Sequence, residues 1–169
     1  LHGLLLPIKF GFDLYVGLRP VYLFPGVESP LARISEGEID IVVVRENTEG
    51  EYSNIGGIVG IGPHQQALQG ALFTRKGIER IVTFAFEYAK AKGRKKVTSV
   101  TKSNAQRYGM VLWDRIFKEV SSRYPEIETE SKLIDAACLE VVRNPKGYDV
   151  IVASNLFADI LSDLTAAVT

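Results

Sequence analysis

Apolar residues recur at helical spacing between residues 78 and 89, where Ile78, Ile81, Val82, Ala85 and Ala89 share one face. Lys90 and Lys92 fall in the last turn of that helix, and Gly93 follows as the expected C′ residue. Lys96–Val100 then reads as a short strand. Over Ala105–Arg123 a second helical stripe is formed by Leu112, Ile116, Phe117 and Val120, with Pro125 soon after its end. Glu128–Ile134 reads as a strand of mixed polarity, and Asp135 is placed to cap a short helix, Ala136–Arg143. Asn144-Pro145-Lys146-Gly147 is a turn, Val150–Ala153 a buried strand, and a further helix runs from about Leu156 through Asp159–Thr169. Alternation of this kind favours an α/β sheet with parallel pairs.

The stretch Ser53–Thr74 breaks the alternation. Gly56, Gly57, Gly60, Gly62, Pro63 and Gly70 punctuate it, with Ile55, Ile58, Val59 and Ile61 between them. It is too apolar for a linker and reads as an extended β arm that buries its face either against a partner chain or as a hairpin on its own subunit. No internal repeat or low-complexity tract is present.

Composition narrows the function classes. Twenty basic and twenty acidic residues leave no formal net charge, and the pI is about 6.9. That balance lacks the basic excess of a nucleic-acid or anionic-membrane binder. With 46% apolar residues the chain is ordinary globular material, and no apolar run approaches the roughly 20 residues needed to cross a bilayer. The single Cys138 excludes an internal disulfide or a Cys-rich zinc site and fits a reducing, cytoplasmic setting. Leu4-Leu5-Leu6 has neither the basic lead nor the cleavage site of a signal peptide. The only methionine is Met110, and the last helix stops without a cap, so we expect an internal piece of a longer protein or a chain missing both ends.

Three strands run into polar clusters at their carboxyl ends, where α/β sheets gather ligands. Ile41–Val44 leads into Arg45-Glu46-Asn47-Thr48-Glu49, Val97–Val100 into Thr101-Lys102-Ser103-Asn104, and Val150–Ala153 into Ser154-Asn155 and then Asp159. Asp159 and Asp163 share a helix face. They read either as oxygen ligands of a hard divalent cation or as an acidic surface near a helix N-terminus. Asp135 is a third carboxylate if the fold brings it close, and otherwise a cap. Arg19, on the restricted backbone before Pro20, and Arg45, at a strand end, can each fork two hydrogen bonds to a carboxylate or form an ordinary ion pair. Lys102 is either a base with a lowered pKa or a solvated loop lysine. Tyr52, at the mouth of the arm, is a proton donor or a packing residue. A glycine-rich phosphate loop between strand and helix is missing, which weakens a phosphate-binding reading. Unaided, the residues support an α/β metal-dependent site for a small acidic ligand.

Taken together, these segments are similar to the β-decarboxylating dehydrogenases of the isocitrate, isopropylmalate and tartrate/D-malate family. The resemblance rests on Leu18-Arg19-Pro20, on Val44–Tyr52, on Thr101-Lys102-Ser103-Asn104, on Asp135-Ala136-Ala137 and on Asn155–Asp163, in the family's order along nearly the whole chain. It covers only the middle of a family member. The resemblance implies a fold of the isocitrate/isopropylmalate dehydrogenase type. Residues 1–20 would lead from the large domain, residues 21–155 would form the small dimerisation domain with its clasp arm near 53–74, and residues 156–169 would begin the return.

It also implies roles. Arg19 and Arg45, with Lys9 at the place of another arginine, would bind substrate carboxylates. Tyr52 would protonate the enol carbon after decarboxylation. Lys102, from the opposite subunit of a homodimer, would help remove the hydroxyl proton. Asp135, also from the opposite subunit, would join Asp159 and Asp163 around Mg²⁺ or Mn²⁺, and Asn104 would lie near the nicotinamide of NAD. The implied reaction is NAD-dependent oxidative decarboxylation of a small 2-hydroxy dicarboxylate. In the segment that selects the substrate's side group stand His2, Gly3, Leu5 and Leu6, which lean toward the tartrate/D-malate type, with isopropylmalate activity the near neighbour. Lys9 keeps the charge of an arginine without its planar fork. Ala158 replaces a glycine before Asp159, which either crowds the metal loop or is tolerated where φ is negative. A non-catalytic regulatory or dimerisation subunit that binds a di- or tricarboxylate is the competing class.

Overall fold

The structure, a computed structural model, describes residues 4–32 and 34–169. His2 and Gly3, and the side chains of Leu5 and Leu6, on which the expected lean toward the tartrate/D-malate type rests, lie outside the described residues; the chain enters through helix α1 (Leu5–Gly11). Strand β1 (Val16–Tyr22) and strand β2 (Asp40–Glu46) follow, then β3 (Gly50–Val59) and β4 (Gln66–Leu72). The remaining elements are α2 (Arg75–Lys92), β5 (Lys96–Thr101), α3 (Gly109–Ser121), β6 (Glu128–Leu133), α4 (Ile134–Arg143), β7 (Val150–Ala153) and α5 (Asn155–Ala167).

Five strands form the main sheet in the order β1-β2-β7-β5-β6. The pairs β2–β7, β7–β5 and β5–β6 are parallel, and β1 runs antiparallel along one edge, where Pro20 removes a backbone donor. Helices α2 and α3 pack on one face, and α4 and α5 on the other. The central strands are therefore buried on both sides, which is why β2 and β7 are apolar runs rather than alternating ones. The core is continuous through Ile41, Val43, Val97, Ile151, Phe86 and Trp113, and the Trp113 indole N–H donates to Ser99 Oγ at 2.9 Å. Among the described residues no helix is long and apolar enough to cross a membrane.

The α2 helix runs as its stripe dictates. Thr74 caps its first turn by accepting from Gly77 N–H, and Gly93 closes it in the left-handed conformation at φ 66°. Two expectations are corrected. The helix placed at Ala105 starts at Gly109, because the Ala105 and Gln106 N–H groups turn back onto the Lys102 carbonyl and residues 102–107 carry no large apolar side chain to bury. Asp135 does not cap α4. Strand β6 passes directly into the helix at Ile134, which leaves Asp135 in the first turn, where the helix dipole still favours a carboxylate. Ala158 lies buried inside α5, outside the positive-φ positions, so its methyl group is accommodated.

Residues 53–74 form most of a two-stranded antiparallel hairpin, β3–β4, separate from the main sheet. Its apolar residues lie open: Ile58 is 72% exposed and Leu68 74%. Gly56, at φ 153°, lets the strands approach so closely that a Cβ there would fall 2.0 Å from the Leu68 carbonyl oxygen.

Candidate active site

The alternation of side chains along β2 sends Arg45 toward α5 and Glu46 toward α2. Parallel pairing places Arg45 opposite Ala153, two residues before Asn155. Arg45 is nearly buried. Its Nε and Nη2 donate to Asn155 Oδ1 at 3.0 and 2.7 Å, and its Nη1 donates to Asp159. Gly17 on β1 leaves room for it, since a Cβ there would sit 3.2 Å from that of Arg45.

The segment after Arg45 is fastened by three carboxylates. Glu46, 2% exposed, accepts from the backbone N–H groups of Thr48 and Glu49 and from Thr48 Oγ1, and Arg80 of α2 lies 3.7 Å away. Glu49 accepts from the N–H and hydroxyl of Thr74 at the start of α2, and burial pushes its carboxyl pKa up. Glu51 accepts from Ser154 Oγ at 2.8 Å and from Leu156 N–H at 3.2 Å, which caps α5 from a different element. These contacts present Tyr52, whose hydroxyl donates to Asp159 Oδ2 at 3.1 Å. Burial and this bond to a carboxylate both raise the phenol above its ordinary pKa.

Arg19 comes from the edge strand. Its Nη1 donates to Ser162 Oγ at 2.6 Å, and its Nη2 lies 3.2 Å from Asp159 Oδ1. Lys9 comes from α1. Its ammonium group lies 5.8 Å from the ring centre of Phe10 and 5.9 Å from that of Tyr52, and burial together with nearby Arg45 pushes its pKa down to about 8. Lys9, Arg19, Arg45, Tyr52 and Asp159 thus line one cleft of about 470 Å³, closed by apolar Ile8, Leu14 and Leu18. Three cations face one carboxylate there, an imbalance suited to an anionic ligand.

The other expected residues stand apart from this cleft. Asp163 is at its rim, with a side chain 86% exposed and Arg19 3.9 Å away. Lys102 pairs with Asp135 at the neighbouring ends of β5 and β6, and this partner holds the Asp135 carboxyl below its ordinary pKa. Asn104 is exposed in the turn beyond β5. Among the described residues no three acidic, histidine or cysteine side chains gather as a metal site. The donor chemistry nevertheless suits a hard divalent cation in part, since Asp163 offers open carboxylate oxygens one helical turn from Asp159. A second cavity of about 690 Å³ lies between the hairpin base and the 105–109 turn, where Glu51, Phe73, Tyr108 and Leu156 line it.

Pattern reading missed Glu46, Glu51 and Asn155. Their signal was only their place in polar clusters at strand ends; nothing local shows which distant group each would meet.

A sequence profile of the isocitrate/isopropylmalate dehydrogenase family matches residues 2–169. The chain is 51% identical to a D-malate dehydrogenase (decarboxylating) of Escherichia coli strain K12, with all of this chain and 47% of that protein covered. It is 49% identical to a "probable tartrate dehydrogenase/decarboxylase" of Agrobacterium vitis, with 99% of this chain and 47% of that protein covered. Among solved structures, an isocitrate dehydrogenase from Methylococcus capsulatus superposes with a TM-score of 0.91 at 37% identity, covering 99% of this chain and 48% of that one. The chain spans about half the length of the curated relatives it matches.

Proposed function

The chain belongs to the isocitrate/isopropylmalate dehydrogenase family, and from that premise we propose that the whole protein oxidatively decarboxylates a small 2-hydroxy dicarboxylate of the tartrate/D-malate type, with NAD and Mg²⁺ or Mn²⁺. The observation that carries this reading is the cleft in which Lys9, Arg19 and Arg45 surround a single carboxylate, with the Tyr52 hydroxyl at its wall. A dianionic substrate offsets that positive excess, and two guanidinium groups can fork to its carboxylates.

In this reading the cations fix the substrate so that its carbinol C–H faces the cofactor. The chemistry that cofactor and metal would supply is hydride acceptance by NAD and Lewis-acid polarisation by the divalent cation. Lys102 of a second copy would help remove the hydroxyl proton, taking it up in its neutral amine form, and Tyr52 would return a proton to the enol carbon. Asp159 and Asp163, with Asp135 of the second copy, would hold the cation. Asn104 would lie near the nicotinamide. The exposed hairpin forms the clasp of that homodimer, and residues 21–155 correspond to its small domain. A reducing, cytoplasmic setting goes with this reading, since Cys138 is a free thiol. Retention of Tyr52, Lys102 and three aspartates favours catalysis over a regulatory copy, which needs none of them.

The full-length protein, assayed with D-malate and tartrate, is expected to form NADH in the presence of Mg²⁺ or Mn²⁺ and to stop when EDTA is added. Absence of turnover with every 2-hydroxy diacid tried, with either nicotinamide cofactor, would overturn the reading.

A further inference from the structure

Asn155 is fully buried and polar, and each polar atom of its side chain has a use. Oδ1 accepts both donors on one edge of the Arg45 guanidinium, at 3.0 and 2.7 Å, and Nδ2 donates to the Glu49 carbonyl at 3.2 Å. One side chain thereby joins β2, the turn that leads to Tyr52, and the first turn of α5. The arrangement leaves Arg45 Nη1 turned toward Asp159 and the cleft.

We infer that Asn155 is a positioning residue that holds Arg45 toward the cleft without adding a second compensating carboxylate, so that its charge is offset only by Asp159, which it shares with Arg19, and remains in part available to a ligand carboxylate. The inference rests on the functional reading above. A guanidinium edge this deeply buried needs an acceptor, because unpaired buried donors are costly. The common acceptor for such an edge is a carboxylate, which binds arginine in a bidentate, charge-compensating fork. At this position an Asp would bind Arg45 more tightly and cancel much of its attraction for a substrate anion. It would also set an oxygen lone pair against the Glu49 carbonyl, where Asn155 supplies a donor. A leucine of similar size would orphan both guanidinium donors and that carbonyl. Only a neutral group with an acceptor at one end and a donor at the other meets all three demands.

The test compares full-length protein with Asn155→Asp and Asn155→Ala at fixed Mg²⁺. Two quantities are read: calorimetric binding of malonate, a dicarboxylate that cannot react, and the melting temperature. Malonate affinity is expected to fall about tenfold or more in Asn155→Asp, and by less in Asn155→Ala, although alanine removes more contacts. With D-malate as substrate the same loss should appear in KM more than in kcat. A purely structural residue predicts the reverse order, with alanine the worse of the two and affinity tracking the melting temperature. Unchanged malonate affinity in Asn155→Asp, or a greater loss in Asn155→Ala, would overturn the inference. Should the Asp variant not fold, an unchanged malonate affinity in Asn155→Ala would overturn it equally, and a loss of affinity without loss of fold would support it. Malonate binding is read without turnover, so an enzyme that oxidises no diacid would sink the functional reading while leaving the role of Asn155 measurable.

Discussion

Among the side chains of the cleft, Lys9 makes the most direct forecast. Its ammonium group loses its proton near pH 8 rather than near the ordinary 10.5, because burial and Arg45 both disfavour the charge. Below pH 8 it is a third cation for the diacid; above pH 8 it is a neutral amine. KM for the diacid is therefore expected to rise by about tenfold between pH 7 and pH 9. In Lys9→Arg the charge persists, and the profile should be flat over that range. An identical rise in both proteins would remove Lys9 from substrate binding. Folding stability moves the other way. Between about 8 and 10.5 the unfolded chain binds the proton that the folded chain has released, so stability from this group increases with pH there. At this scale the sequence revealed the charged groups but not their partners. Arg45 and Asp159 were legible as strand-end and helix-face residues, and their meeting was not, since they are 114 positions apart and joined only by the register of β2 against β7.

The elements were more legible than the contacts. The α2 stripe and the four-residue run of β7 each satisfy a local rule completely, and both appear where that rule puts them. The start of α3 was less so, because a polar stretch at helical spacing looks the same whether it winds or turns. The hairpin was legible as extended and apolar, while its separation from the main sheet was not. Ile58 faces Ala67 across the strands and Leu68 faces Gly57, so these two side chains open onto opposite surfaces of one thin sheet. A two-stranded ribbon of this kind has too little core to stand alone in water. Ile58→Asp combined with Leu68→Asp should leave the far-ultraviolet circular dichroism of the folded subunit nearly unchanged, since both side chains are exposed on it. The same double variant should convert the proposed homodimer to monomer in sedimentation analysis. A variant that sediments as the wild type would mean that the ribbon is not the clasp.

At the scale of the whole molecule, the separation of Lys102 and Asp135 from the Arg45 cleft is the arrangement a shared site requires. Tyr52→Phe and Lys102→Ala should each reduce turnover by orders of magnitude. Produced together at equal levels, they should recover about a quarter of normal activity, because half of the pairs are mixed and each mixed pair keeps one intact site. Failure to recover any activity would place Lys102 and Tyr52 in the same subunit's site. The doubly covered parallel sheet was foreseeable from strand–helix alternation, while the antiparallel edge β1 was not, since nothing in its own residues states its direction. The fastening of residues 46–51 to both α2 and α5 has an evolutionary consequence. Arg45 and Tyr52 flank a segment tied to both α2 and α5, whereas among the described residues no side-chain hydrogen bond ties α1, which contributes Ile8 and Lys9, to that wall. On the proposed reaction, substitutions in α1 would recolour the entrance and leave the floor that holds Arg45 and Tyr52 untouched, so a lineage of such proteins would be free to trade one hydroxy acid for another without losing the chemistry.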